Sequence, residues 1–248
     1  MRGFKYIVWI ACCFFFSCHK ENAFDCFKGN GSEITQVRQP GEFSYIEIYD
    51  KMEVTIYDGP ECRVEVTAGE KIMRNISTTV SGGILKIENK NTCNFVRGYK
   101  KTIRVKVTLP YLKLVTNNSV GPVVFDPAYA QDTLLIRAES SGDFHVNGRF
   151  NEIRTSSHGN GDVYLAGKCN TLYVYANGTN YLFAQDIEVT DYAFIHNVSY
   201  GDCHLNATGL NQLAYNIQRD GNIYYKGDPK IITNYGDGTG KGQLIREY

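Results

Sequence analysis

The feature that most constrains this chain is a pattern that recurs about every twenty residues in its second half. Each copy has a small glycine-containing turn, an Asx residue at a corner, and then alternating apolar and polar residues. Two short strands and two turns in that length form one coil of a β-solenoid, whose coils stack ~4.8 Å apart. A coil cannot bury its apolar side chains alone, so several coils must stack. The predicted corners are Asp143, Asp162, Asn180, Asp202 and Asn222.

The first half also alternates, although less regularly. The composition of 18 Tyr, 13 Phe and 24 Gly beside 6 Pro favours strands separated by turns. An antiparallel sandwich would also space its strands closely, but it has no reason to repeat its turn residues. The sequence therefore predicts an all-β fold without a helix. Its body is a right-handed β-helix or β-solenoid with regular coils over residues 118–248 and an irregular N-terminal β layer over residues 34–117.

The beginning of the chain resembles an export signal. Five residues with two basic side chains precede eleven uncharged ones, fewer than the ~20 that span a bilayer. A small residue followed by Cys18 resembles the end of a bacterial lipoprotein signal, where cleavage precedes a cysteine that then carries lipid. We predict a lipoprotein signal peptide over residues 1–17, lipidation of Cys18 and a tether over residues 18–33. The alternative is an ordinary secretory leader, and either signal exports the protein.

The cysteine count has a different meaning in an exported chain. Five cysteines remain after the leader and Cys18 are set aside, so at least one thiol is unpaired. Exported proteins form disulfides, and we predict one between Cys26 and Cys93, which lie outside any alternating run. The chain has no CxxC pair, so no structural zinc site is predicted.

The charge balance restricts the partners. The chain has 26 basic and 26 acidic residues, which create no net field to attract a phosphate backbone. We therefore predict no nucleic-acid partner, and no motif predicts a cofactor. The expected partners are a membrane, through the lipid anchor, and a glycan or surface protein.

The Asx corners predict a ladder along one edge of the solenoid, with Asp143 and Asp162 about one coil apart. That spacing is near the separation of the two carboxylates of a retaining glycosidase, and carboxylates are also Ca²⁺ ligands. However, two of the five corners are Asn, which a turn tolerates and a catalytic or calcium array does not. We interpret the ladder as turn capping, and we predict neither catalytic residues nor a metal site.

Outward aromatic side chains are the strongest candidate for binding. Alternation places Tyr173 and Tyr175 outward on one coil and Tyr192 and Phe194 outward on the next, where they form a candidate ligand surface. Rings in a solenoid also stack on one another along a ladder. Both interpretations stay open on the sequence alone.

Two histidines fall on the other outward strand face. Tyr164 and Tyr224 flank His145 and His204 on this face, each from the following coil. The two histidines share a position in the repeat but are three coils apart, too far to bind one metal ion. We predict that both are surface residues.

The repeat also predicts which cysteines are buried. The residue after each corner Asx should point inward, which buries Tyr181 and Cys203. Cys169 follows Gly167, in a predicted turn, and is expected to be accessible. A buried thiol is inert, whereas an exposed one reacts.

Several segments together resemble one bacterial family. They are the leader, Cys26-Phe27-Lys28, residues 46–56 and residues 92–101, followed by the Gly-Asx coils. The chain is similar to proteins with the autotransporter adhesin head GIN domain, a domain of unknown function in Gram-negative envelopes. The resemblance implies a GIN-like β-solenoid domain over residues 34–248.

The resemblance and the leader together predict the function. We expect a lipid-anchored, non-enzymatic protein of the bacterial outer membrane or cell surface that presents its solenoid for adhesion or assembly. The alternative is a glycan-active enzyme, a polysaccharide lyase or hydrolase, on a β-helix scaffold.

Overall fold

The computed structural model describes residues 29–91 and 102–248, and these residues have the predicted all-β architecture. A β-solenoid of about seven coils follows a curled N-terminal sheet. The solenoid strands are β8 (Leu114–Asn117), β9 (Val123–Phe125), β10 (Ala130–Ala138), β11 (Phe144–Ser157), β12 (Val163–Gly178), β13 (Leu182–Ser199), β14 (Cys203–Asn206), β15 (Gln212–Ile217), β16 (Ile223–Lys226), β17 (Ile231–Asn234) and β18 (Leu244–Glu247).

The curled sheet precedes and covers one end of the solenoid. Its elements are β1 (Glu33–Arg38), β2 (Tyr45–Ile48), β3 (Glu53–Asp58), β4 (Arg63–Gly69), the single-turn helix α1 (Glu70–Met73), β5 (Ile76–Ser81), β6 (Ile84–Asn89) and β7 (Arg104–Leu109). The prediction of no helix was therefore wrong by one turn. That turn buries Ile72 and Met73, and two apolar residues in four residues are too short a pattern to recognise.

Parallel pairing of successive coils builds two ladders of strands. Ladder A contains β3, β9, the first parts of β11, β12 and β13, and then β14, β16 and β18. Ladder B contains β2, β8, β10, the second parts of β11, β12 and β13, and then β15 and β17. Strands β11 to β13 are long because each continues from ladder A into ladder B.

The N-terminal sheet continues both ladders and shares their core. Antiparallel strands β1 and β4 extend ladder A through β7, which pairs in parallel with β3. Strand β5 extends ladder B through β6. The antiparallel edge strands at this end replace the parallel coils, so the end of the stack is covered.

The core is built from columns of side chains that lie one above another in successive coils. The column at the start of each coil in ladder A is between 0% and 2% exposed. The alternation of apolar residues produces this column because every second side chain in a strand points to the same side. Its members are Val123, Phe144, Val163, Leu182, Cys203 and Ile223.

One coil differs from its predicted register. Leu182, and not Tyr181, pairs with Val163 and Cys203, so Tyr181 is outward and 40% exposed. The prediction that Tyr181 is buried was wrong, and Asn180 is not a corner residue of the ladder. A one-residue slip exchanges the inward and outward side chains of a strand, so it also turns Phe183 outward.

The prediction for the cysteines was half correct. Cys203 is fully buried, as the repeat indicates, but Cys169 is fully buried as well. The chain kinks at Gly167, where φ is 97°, and Cys169 then pairs between Phe150 and Val189 with its side chain inward. The glycine is a bend within β12 and not the turn that the sequence indicated.

We expect the thiols to react in a fixed order. Burial raises the pKa values of Cys169 and Cys203 to about 12, so almost no reactive thiolate forms at pH 8. Cys62 is only half-buried and donates to the Phe43 carbonyl at 3.6 Å. Labelling of native protein with iodoacetamide, followed by peptide mass spectrometry, should modify Cys62 first and the two core cysteines only in urea. Labelling of Cys203 before Cys62 would show that the register of ladder A is incorrect.

Candidate functional site

The side-chain oxygen of each corner Asx accepts a hydrogen bond from a backbone N–H one coil further on. These bonds satisfy corner N–H groups at the point where strand pairing begins, and they connect consecutive coils. The pairs are Asp143 Oδ1 with Asp162 N (2.9 Å), Asp162 Oδ1 with Tyr181 N (2.8 Å), Asp202 Oδ1 with Asn222 N (2.7 Å) and Asn222 Oδ1 with Gln243 N (2.9 Å).

The same hydrogen bonds help to decide whether Asp143 and Asp162 form a catalytic or calcium-binding pair of carboxylates. Loss of solvation raises the pKa of Asp162, the Tyr181 N–H lowers it, and the charge of Asp143 raises it. Each of the two carboxylates uses one oxygen to accept a backbone N–H, which favours capping over catalysis or calcium binding. Within residues 29–91 and 102–248, no three His, Cys, Asp or Glu side chains lie close enough to hold a metal ion.

A second corner motif, a buried asparagine that bonds the backbone of two coils, was not predicted from the sequence. Buried Asn197 donates through Nδ2 to the carbonyls of Gly201 (3.2 Å) and Gly221 (3.0 Å), and its Oδ1 accepts from Ser199 N (3.0 Å). Asn117 makes the same bonds with Gly121, Gly142 and Ser119. The signal was present as the pentapeptide Asn-x-Ser-x-Gly at residues 117–121 and 197–201.

A column of glycines lies immediately before the corner residues. A Cβ added at any of them would overlap backbone atoms of the preceding coil, most often a carbonyl oxygen. This column sets how closely the coils approach at the corner. Its members are Gly121, Gly142, Gly161, Gly201, Gly221 and Gly242, with Asn180 in the one remaining coil.

Outward side chains of ladder A form a continuous stack of rings, which we call the ring ladder. The ring centroids are 4.6 to 5.7 Å apart, and adjacent planes differ by 5° to 14°. The two histidines that the sequence placed three coils apart are thus joined by two aromatic rings between them. The ring ladder consists of His145, Tyr164, Phe183, His204 and Tyr224.

A groove of about 290 Å³ lies beside the three rings of the ring ladder that are nearest the N-terminal sheet. His145, Tyr164 and Phe183 form one wall, and Asn147, Ala166 and Asp186 form the other. Buried Phe125, Val146 and Leu165 lie beneath it, and Pro127, which follows β9, also lines it. The sequence did not indicate this groove, because the predicted register placed Phe183 in the core.

The predicted ligand surface lies on ladder B and consists of Tyr173, Tyr175, Tyr192 and Phe194, which we call the ring cluster. All four side chains are outward and partly exposed. Tyr173 and Tyr192 have centroids 5.7 Å apart and planes inclined by 54°, and Phe194 meets Tyr235 edge-on at 6.1 Å. These rings are inclined to one another, whereas the rings of the ring ladder are nearly parallel, and both sets are partly exposed.

Several predicted residues fall outside the part of the chain that the structure describes. These are Cys18, Cys26 and Cys93, so the lipidation site and the disulfide stay predictions. Across residues 29–91 and 102–248, no helix has the length and apolar character that a membrane crossing requires.

Fold and surface together define a class of protein. The chain is a β-solenoid with one covered end, whose outward side chains repeat from coil to coil and create extended surfaces. A sequence family described as "Putative auto-transporter adhesin, head GIN domain" matches residues 42–229. This chain therefore belongs to that family, and the resemblance identified from the sequence is confirmed.

Several solved structures have the same fold. A putative adhesin from Bacteroides fragilis has a TM-score of 0.70 at 20% identity, covering 87% of this chain and 97% of its own. A putative lipid-binding protein from Parabacteroides distasonis has a TM-score of 0.62 at 20% identity, with 88% and 98% covered. A putative adhesin from Parabacteroides merdae has a TM-score of 0.56 at 20% identity, with 89% and 98% covered. No curated protein matches this chain.

Proposed function

We propose that this protein is a lipid-anchored, non-enzymatic component of the bacterial cell envelope that presents its solenoid for adhesion or assembly. The observation that carries the proposal is the ring cluster, whose inclined and partly exposed rings lie on a rigid ladder. Aromatic side chains lose little conformational entropy on binding and are enriched at the centres of interfaces. The family membership supports the same role.

The leader supports the proposed lipid anchor, which would give the solenoid a location. A lipidated Cys18 would hold the protein at a membrane, and two or more acyl chains hold stably where one does not. The tether before the solenoid would then separate the ring cluster from the lipid surface.

The experiment measures adhesion of bacteria that produce the full-length protein to arrays of glycans and host-matrix proteins. We expect the double variant Tyr173→Ala/Phe194→Ala to reduce adhesion about tenfold, the scale at which central aromatic contacts contribute to binding. Tyr57→Ala is the control, because Tyr57 is an outward, half-buried ring on the N-terminal sheet, away from the ring cluster. Equal adhesion of wild type and the double variant would contradict a role for the ring cluster.

A second arm tests the anchor. Cys18→Ser should move the protein from the membrane fraction to the soluble fraction and abolish cell adhesion, while the purified variant still binds the array. Identical fractionation of Cys18→Ser and wild type would contradict lipid anchoring.

The enzyme alternative has its own test. If the protein cleaves a polysaccharide and Asp143→Asn and Asp162→Asn abolish that cleavage, the enzyme alternative replaces the proposal.

A further inference from the structure

The groove beside the ring ladder has two chemically different walls. Its aromatic wall consists of three parallel rings, with centroids 4.6 and 4.8 Å apart. Its opposite wall contains an amide at Asn147, a methyl group at Ala166 and a carboxylate at Asp186, in three consecutive coils. Asn147 and Asp186 are exposed, so their polar groups are open to a ligand.

A β-bulge places the carboxylate in the groove. Tyr164 pairs with Phe183, but Ala166 pairs with Asp186, so β13 has one more residue than β12 in this interval. Without the extra residue, Gln185 would lie beside Ala166. Bulges bend a strand and re-aim a side chain, and they are frequent next to binding sites. Here the bulge completes the column Asn147, Ala166, Asp186 along the polar wall.

The two walls fit an amphipathic ligand better than a purely apolar one. An acyl chain would leave the Asp186 carboxylate facing hydrocarbon, which is costly. A sugar has apolar C–H groups for the ring wall and hydroxyl groups that donate to Asn147 Oδ1 and Asp186. The single carboxylate also repels acidic sugars, since neither Lys nor Arg lines the groove.

The spacing of the groove fits a chain of sugars. Successive coils repeat every ~4.8 Å, so like positions on both walls recur at that interval. One pyranose is about as long as one coil is high, which lets consecutive sugars meet equivalent contacts. We propose that the groove beside His145, Tyr164 and Phe183 binds a linear chain of neutral sugars. This inference rests on the proposed adhesive function and assigns it a ligand class and a second site.

The experiment uses purified full-length protein in a detergent without a sugar headgroup. Isothermal titration calorimetry with cello-, xylo-, manno-, malto- and laminari-hexaose should reveal one-to-one binding of at least one of them. Ala166→Leu fills the middle of the groove and should raise the Kd of that hexasaccharide about tenfold, as loss of a central contact does. Lys226→Leu adds an apolar side chain to the same ladder two coils below the groove and should leave the Kd unchanged.

The outcomes separate this inference from the proposed function. If Ala166→Leu leaves the Kd unchanged and its circular dichroism is identical to wild type, the sugar binds elsewhere. That result contradicts the groove as the binding site but not the proposed adhesive function. Tighter binding of hexagalacturonate or of dodecanoate than of every neutral hexasaccharide overturns the ligand class. If no hexasaccharide binds but the cells still adhere, only the sugar-binding inference is wrong. If cells with the wild-type protein do not adhere, the proposed function is wrong.

Discussion

Gly221→Ala should lower the free energy of unfolding by about 3 to 5 kcal/mol, a large share of the stability of an ordinary domain. An added Cβ at this position would overlap the carbonyl oxygen and carbon of Gly201 and crowd the Asn197 amide. Backbone atoms cannot rotate away as a side chain can, so two coils must separate at their corner. Urea unfolding followed by far-ultraviolet circular dichroism measures the loss.

Gly209→Ala is the matched comparison. Gly209 has a φ of 76° and open space around its Cα, so alanine there costs only the left-handed strain of about 1 kcal/mol. Gly221 has no such φ, so its cost comes from overlap alone. Equal unfolding midpoints for the two variants would refute the tight contact between corners.

Asn197→Ala should cost about 3 to 5 kcal/mol, because it leaves two carbonyls and one N–H without a partner in the core. Asn197 is fully buried, and its amide joins Gly201 of its own corner to Gly221 of the next coil. Its neighbours in the column are Ala176 and Ile217, so an alanine causes no overlap there, and the cost comes from the lost hydrogen bonds and the small void left by the amide.

Asn151→Ala is the control for this substitution. Asn151 is exposed, and its Oδ1 accepts one bond from Asn170 Nδ2 at 2.9 Å. Water replaces that bond, so the change should cost less than about 0.5 kcal/mol. The same urea series measures both variants, and a cost for Asn197→Ala as small as that for Asn151→Ala would contradict the corner network.

The coil with Asn180 shows where the sequence was ambiguous. The residues Gly178-Thr179-Asn180 contain a glycine and an Asx, but neither occupies the position of its type in the other coils. Asn180 takes the place of the corner glycine and donates to the Gly159 and Asn177 carbonyls at 2.9 and 2.7 Å. The predicted register would bury the apolar pair Tyr181 and Phe183, and the observed register buries the apolar pair Leu182 and Ala184. The local pattern alone therefore does not choose between them.

The two candidate ligand surfaces, the ring cluster and the groove beside the ring ladder, differ in how far the sequence predicted them. The outward positions of the ring cluster followed from alternation within single strands. The ring ladder and its groove did not, because they require the register between coils and the bulge that brings Asp186 beside Ala166. A bulge adds one residue to one strand only, and no residue type marks it without the pairing strand.

Resemblance of its segments identified the family of this protein, and the sequence by itself also determined the fold class, the coil length and the burial of Cys203. The last three follow from the repeat, because a repeat of about twenty residues with apolar alternation has one economical way to bury its side chains, namely stacking. The tertiary structure alone decided the register of the Asn180 coil, the inward turn of Cys169 and the bulge that brings Asp186 beside Ala166. Each depends on contacts between residues about one coil apart, and a backbone hydrogen bond or a kink at glycine leaves no periodic mark in the chain.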